Sequence, residues 1–222
     1  ATYDYDAAEN KSPFYNSRDV GSITVKSGVT RIGSYGFYAC NAAMATLPDT
    51  LKSIGRCAFC GSTGGTTLPP AVGGLRSVTI PASVTTLESY AFAQCRLETI
   101  TLPKTVTSIG KYVLYGCKLL TSAEVLSPTL GDLLFTYCSG LRSLTIGRSV
   151  VAFGSTMFTY CDSLTTITYA GTKAQWNAIR KPDDWISADT SSGHHNGTLE
   201  RISCTDGAFV WDSQTKQWEE ET

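Results

Sequence analysis

The chain has 222 residues, 42% of them hydrophobic, and its 18 basic and 19 acidic residues leave a net charge of −1. That is enough apolar content to bury a core and too even a charge to leave the basic footprint that holds nucleic acid. No apolar run nears the roughly 18 residues of a membrane span, so neither nucleic-acid binding nor membrane insertion is expected.

The chain opens Ala1-Thr2-Tyr3-Asp4. It shows no charged or apolar leader there, so a signal peptide is expected to be absent or already removed. Residues 1–20 carry Tyr3, Tyr5, Phe14 and Tyr15 and are read as a cap over the first turn of a repeat array. An open stack of repeats has to hide its terminal edges.

From residue 21 to 170 one frame recurs. Its clearest copy is Leu97, Ile100, Leu102-Pro103, Val106, Ile109-Gly110, Leu114 and Cys117. Ile100 and Leu102 alternate with Thr101, the period of a strand with one buried face. Pro103 ends that strand because it has no N–H to pair. Val106 and Ile109 point inward again, and Gly110 is expected to permit the bend. The same frame runs through Ile23, Ile32-Gly33, Phe37 and Cys40, with Val29 between them as an inward residue. It returns at Leu51, Ile54-Gly55 and Phe59, then at Leu75, Val78, Ile80-Pro81, Val84, Leu87, Phe92 and Cys95. Later copies end at Cys138 and Cys161, and a partial copy holds Leu164, Ile167 and Tyr169. Cys95, Cys117, Cys138 and Cys161 follow one another at steps of 22, 21 and 23 residues. One such turn cannot bury its own apolar side, but stacked turns make a continuous core. Six to seven turns at about 4.8 Å each give a body roughly 30 Å long.

Two copies depart from the frame. Residues 61–74 are Gly- and Pro-rich and read either as a loop or as a truncated repeat around Leu68-Pro69. Val125 to Leu130 spans five residues where Leu102 to Ile109 spans seven, which suggests a local kink. After Tyr169 the period stops, and residues 171–222 form a second cap. Thr172-Lys173-Ala174-Gln175 is a capping box opening a short helix through Ile179. Leu199–Cys204 and Phe209–Trp218 read as strands with a turn near Asp212-Ser213. All four tryptophans lie in this cap, which leaves a glycan-stacking platform as the sharper alternative to a structural lid.

Chemistry has little to build on. Cys40, Cys95, Cys117, Cys138 and Cys161 share one frame position and are expected to pack as small apolar groups. Cys57 and Cys60 form a C-x-x-C with no second pair at zinc spacing. His194-His195 sits in a loop-like Ser/Gly/Asn stretch. No nucleophile elbow, H-E-x-x-H or phosphate-cradling loop is present, so neither an enzyme nor a cofactor is expected. The remaining feature is a hydroxyl column. Thr24, Thr46, Thr79, Thr101, Thr145 and Thr168 lie between inward strand residues, with Glu124 as the exception. They should line the outer face of a sheet, where threonine also simply suits strands.

The string I-x-[IL]-P-x-x-[VL]-x-x-[IL]-G-x-x-x-F-x-x-C resembles the BspA-type leucine-rich repeat family over about residues 12–170. Ser12-Pro13-Phe14-Tyr15-Asn16 and Gly171-Thr172-Lys173-Ala174-Gln175-Trp176 are similar to the segments flanking such arrays. The resemblance implies an α/β repeat solenoid, a right-handed leucine-rich-repeat superhelix. It would carry a parallel sheet on its concave side, short convex strands and turns, and terminal caps. It also implies an extracellular or cell-surface protein of microbial origin, tied to adhesion. On that footing the chain is expected to bind a protein or a host-matrix or glycan macromolecule through the Thr/Glu124 face or residues 61–74. An architectural spacer and a glycan-binding accessory domain are the alternatives. The family has no single shared ligand, so the resemblance does not name the partner.

Overall fold

The computed structural model describes residues 4–5, 10–61, 74–186, 199–215 and 217–221. It is a β-solenoid of about six turns, and each turn has three sides. The first side carries the longer strands: β1 (Ser22–Thr24), β3 (Met44–Thr46), β5 (Ser77–Val78), β7 (Thr99–Leu102), β9 (Ser122–Val125), β10 (Ser143–Ile146) and β11 (Thr166–Tyr169). The second side carries two-residue strands: β2 (Arg31–Ile32), β4 (Ser53–Ile54), β6 (Thr86–Leu87) and β8 (Ser108–Ile109). The third side is a run of tight turns around the frame Phe.

Among the described residues there is one helix, α1 (Lys173–Ala178), and it follows the array. The helical part of the expected α/β class is therefore confined to the exit of the stack. There, Thr172 accepts from the Gln175 N–H and the Gln175 side chain accepts from the Thr172 N–H, as the capping box predicts. Beyond α1 come β12 (Arg201–Cys204), β13 (Gly207–Asp212) and β14 (Gln217–Glu220). β12 pairs parallel with β11, and then the sheet reverses: β12–β13 and β13–β14 are antiparallel. The expected strands are present: a turn at Thr205-Asp206 separates them, and a turn at 213–215, next to the expected Asp212-Ser213, divides the second into β13 and β14.

The first side is two sheets. One has the order β1-β3-β5, and the other runs β14-β13-β12-β11-β10-β9-β7. The second side, β2-β4-β6-β8, crosses the joint between them. It stops at β8, where the shortened turn comes. Beyond that point, among the described residues, only single bridges, Thr129 to Ala152 and Ala152 to Arg180, continue it.

The core is the set of frame residues. Leu51, Ile54, Val84, Leu87, Leu97, Leu102, Val106 and Leu114 are fully buried. The Phe position makes a stacked column, with ring centroids of Phe37–Phe59 at 5.4 Å, Phe59–Phe92 at 5.5 Å and Phe135–Phe158 at 5.8 Å. Each ring contributes about 1.5–3 kcal/mol by burial. Val29 departs from expectation: it is 36% exposed, because the first turn has no complete turn before it. Phe14 extends the column outward, 5.1 Å from Phe37, while the Ser12 hydroxyl donates to the Gly36 carbonyl. The Asn16 N–H donates to the Tyr38 carbonyl. Residues 12–17 thus pack on the first turn as the turn side of a fractional repeat.

Gly110 does not do what the sequence suggests. Its φ is not left-handed; a Cβ there would lie 2.4 Å from the backbone nitrogen of Ser89. Gly55, Gly131 and Gly154 meet the preceding turn in the same way, at 2.7, 2.6 and 2.5 Å. This frame position is glycine because the turns touch there.

Candidate binding faces

The sheet face is built by the alternation within each strand. In β7 the inward residues Ile100 and Leu102 are buried, and Thr99 and Thr101 are exposed. Parallel pairing then lines up the outward residues. Thr24 stands opposite Thr46. Thr101, Glu124, Thr145, Thr168 and Ser203 stand opposite one another in turn. Thr79 lies one residue past β5, still outward and exposed. A second row runs beside the first: Ser22, Met44 and Ser77 in one sheet, then Thr99, Ser122, Ser143, Thr166 and Arg201 in the other. Among these, Met44 is the large apolar group, 55% exposed. Glu124 does not stand apart from the hydroxyls, since Thr101 Oγ1 donates to Glu124 Oε2 at 3.2 Å. The structure therefore brings the candidate Thr and Glu residues onto one side of the stack, in two blocks.

The turn side holds a feature that the frame left blank. In most turns two residues take left-handed backbone, two before and two after the Phe position. The first set is Tyr35, Cys57, Tyr90, Tyr112, Leu133 and Thr156, with φ from 50° to 62°. The second includes Asn16, Ala39, Gln94, Tyr137 and Tyr160. For an L-residue this costs about 1–2 kcal/mol each. What offsets it is a ladder. Tyr90, Phe92 and Gln94 donate to the Lys111, Val113 and Tyr115 carbonyls of the next turn, and Ala91, Ala93 and Cys95 donate within the turn. Left-handed residues aim alternate N–H groups along the stack. Three such bonds per turn, each worth about 1 kcal/mol, together with one buried Phe, exceed the strain.

This backbone displays tyrosine. Tyr90 stacks on Tyr112 at 4.8 Å, Tyr115 meets Tyr137 edge-on at 5.4 Å, and Tyr137 stacks on Tyr160 at 4.1 Å. Tyr15 and Tyr38 stack at 5.2 Å toward the other end. These rings are half-buried, apart from the more exposed Tyr137. Burial pushes the Tyr38 hydroxyl up to about 12. Tabulating what flanks each frame Phe would have exposed this row, as Tyr35-Gly36-Phe37-Tyr38 already hints.

The cysteine column packs as expected. Cys95, Cys117, Cys138 and Cys161 are buried. Their thiols donate to the Phe59, Phe92, Leu114 and Phe135 carbonyls of the preceding turn at 3.1–3.2 Å. Burial raises the thiols of Cys95, Cys138 and Cys161. Among the described residues no three His, Cys, Asp or Glu side chains gather as a metal cluster. His194-His195 and the 62–73 part of the expected insertion lie outside the described residues. The described ends of that insertion, Gly61 and Gly74, are neighbours: a Cβ on Gly74 would lie 3.4 Å from the Gly61 Cα.

In the second cap Trp176 is core and half-buried Trp185 packs against it, 5.5 and 5.2 Å from Phe153. The Lys181 ammonium caps the end of α1 by donating to the Trp176 and Ile179 carbonyls, and burial lowers it to about 8. Trp211 and Trp218 form a cross-strand pair at 5.4 Å on the outer hairpin, with Trp211 38% exposed. No helix among the described residues is long and apolar enough to cross a membrane.

Six copies of the BspA type leucine-rich repeat region match the sequence over residues 10–68 and 72–178. The chain belongs to this family. No curated protein matches it. Among solved structures, the pneumococcal vaccine antigen PcpA is similar with a TM-score of 0.56 at 16% identity, covering 91% of this chain and 44% of that one. A leucine-rich repeat protein from Bacteroides ovatus is 23% identical, with a TM-score of 0.49 over 82% of this chain and 57% of that one. A leucine-rich cell surface protein from Faecalibacterium prausnitzii is 20% identical, with a TM-score of 0.37 over 73% of this chain and 63% of that one. The chain thus spans less than two thirds of these relatives. The likeness to PcpA supports the repeat fold.

Proposed function

We propose that this family member is a non-catalytic binding module, displayed outside the cell, that holds a protein or glycan partner against its hydroxyl face. The observation that carries the reading is the registered row Thr101, Glu124, Thr145, Thr168 beside Thr99, Ser122, Ser143, Thr166. Small side chains in two straight rows leave a broad surface that a partner can approach closely. They offer hydroxyl donors and acceptors, with one carboxylate as a polarity mark. Thr24 and Thr79 extend the same contact toward the N-terminal end. The extracellular setting draws support from the family and from PcpA being a vaccine antigen. The right-handed superhelix with this face on its concave side belongs to the same proposal.

The test is an array of host-matrix proteins and glycans probed with the chain and with Thr101→Lys, Thr145→Lys and Thr168→Lys. Binding that disappears in these variants while the melting temperature stays put supports the reading. Binding that survives all three overturns it. A second reading places the contact on the tyrosine row, because aromatic side chains are enriched at the centre of interfaces. Tyr137→Asp and Tyr160→Asp would then remove binding where the Thr variants do not. The spacer alternative predicts binding to nothing on the array.

A further inference from the structure

We propose that Cys57 and Cys60 are a thiol–disulfide exchange site, a dithiol that closes to an intraturn disulfide by reducing a small anionic disulfide.

The placement comes from the repeat itself. Cys57 is two residues before the frame Phe and Cys60 is one after it. In two other turns these positions hold side chains that meet: Tyr35 and Tyr38 at 5.5 Å, Tyr112 and Tyr115 at 5.6 Å between ring centroids. The same turn geometry places Cys57 and Cys60 side by side, and here both are thiols. The Cys60 N–H donates to the Cys57 carbonyl at 3.2 Å. A β-turn closed this way holds its outer Cα atoms within about 7 Å, and a disulfide bridges Cα atoms roughly 4.4–6.8 Å apart. The two cysteines lie in one buried side-chain cluster, where the Cys60 thiol donates to the Gly61 carbonyl at 3.5 Å. In the cysteine column, by contrast, the thiols belong to successive turns, and each donates to a carbonyl of the turn before.

The surroundings divide the roles. The Cys57 thiol is drawn down to about 7, first by the adjacent Cys60 thiol, then by Tyr35 and Arg56 against the opposing effect of burial. Cys60 is pushed up, first by its Cys57 partner and then by burial. Cys57 is therefore the attacking thiolate and Cys60 the resolving thiol. Cys57 attacks one sulfur of R–S–S–R; that S–S bond breaks, and one R–S⁻ leaves and takes the proton Cys57 has given up. Cys60 then loses its proton and attacks the Cys57 sulfur of the mixed disulfide, expelling the second R–S⁻, which takes that proton. The two cysteine sulfurs are oxidised by two electrons in total, and the external disulfide is reduced to two thiols. Both cysteines are buried, but the pair lies under half-exposed Tyr35 and Tyr90 and beside the exposed guanidinium of Arg56. That cation favours a disulfide bearing carboxylates.

The probe is oxidised glutathione added to the native reduced chain, followed by alkylation and tryptic mass mapping. Trypsin cuts after Arg56 and Arg76, so both cysteines fall in one peptide that excludes the other six. The expected result is that this peptide loses two hydrogens and resists alkylation, and that dithiothreitol reverses both. In Cys60→Ser, a glutathione adduct should remain on residue 57. Full alkylation of both cysteines in the treated native protein overturns the proposal, as does bonding of either one to a cysteine outside the peptide. The mapping on the unaltered chain decides even where a variant fails to fold. Neutral hydroxyethyl disulfide should react several-fold more slowly than oxidised glutathione, and Arg56→Ser should remove that difference; equal rates with Arg56 present overturn the anionic preference.

Discussion

Gly110 and Ser89 are in backbone contact across two turns of the stack, so close that a Cβ on Gly110 would lie 2.4 Å from the Ser89 nitrogen. Neither atom belongs to a flexible side-chain tip, so one turn has to move. Gly110→Ala is expected to cost about 1–3 kcal/mol, in the range of overpacked sites. Gly21→Ala is its control, since nothing lies within 4 Å of a Cβ there; it should stay within about 0.5 kcal/mol. Urea midpoints of the two variants check this, and equal midpoints would show that the contact carries no constraint.

The Phe column makes a graded prediction. Phe92 is fully buried and parallel to Phe59. Phe92→Ala should cost about 3–5 kcal/mol. Phe92→Leu should cost far less, roughly 1.5 kcal/mol or below, because Leu114 already fills the same position in the next turn. Chemical unfolding of both variants measures the gap.

The lead-in segment should respond to acid. Asp4 accepts from the Ser34 N–H at 2.7 Å and from Arg31 at 2.6 Å. The Ser34 bond first, and then Arg31, hold its carboxyl below the usual aspartate range. A depressed folded-state pKa means the unfolded chain binds the proton more readily. The contribution is therefore complete above about pH 3.9, and it fades as pH falls through the lower folded-state value. The protection factor of the Ser34 amide, the ratio of its intrinsic to its observed exchange rate at each pH, should fall over that window in the unaltered chain, and Asp4→Asn should show the lower protection already at neutral pH.

Thr172 closes the capping box of α1. Thr172→Ala should lower stability by about 0.5–2 kcal/mol, and Thr172→Ser should restore most of it. Thermal unfolding of the pair separates the cap from a general effect of substitution.

Most of the core was legible in the sequence because burial imposes a period that Ile, Leu and Phe obey. Thr172 and Gln175 announced the helix by the same directness. The turn side was not legible. Most of its left-handed positions, such as Tyr35, Cys57, Leu133 and Thr156, are not the glycine or asparagine that normally signals such backbone. The neighbouring turn imposes that conformation through hydrogen bonds that no local pattern records. Gly110 was noticed for the wrong reason: a glycine in a frame reads as a bend, and only the adjacent turn reveals a close approach. Of the candidate contact face, the threonines were legible because strand alternation points them outward. The Thr101–Glu124 hydrogen bond was not, since it depends on register between turns.

The sheets of this molecule are laid like courses of brick. The joint between β5 and β7 on the first side is bridged by the β6–β8 pairing on the second, and the second side ends only where β7 and β9 are already joined. A crack between turns at any of these levels must therefore break a paired strand somewhere. A stack with aligned joints would part into two halves. This one should melt as a single block across the two sheets, with one calorimetric transition.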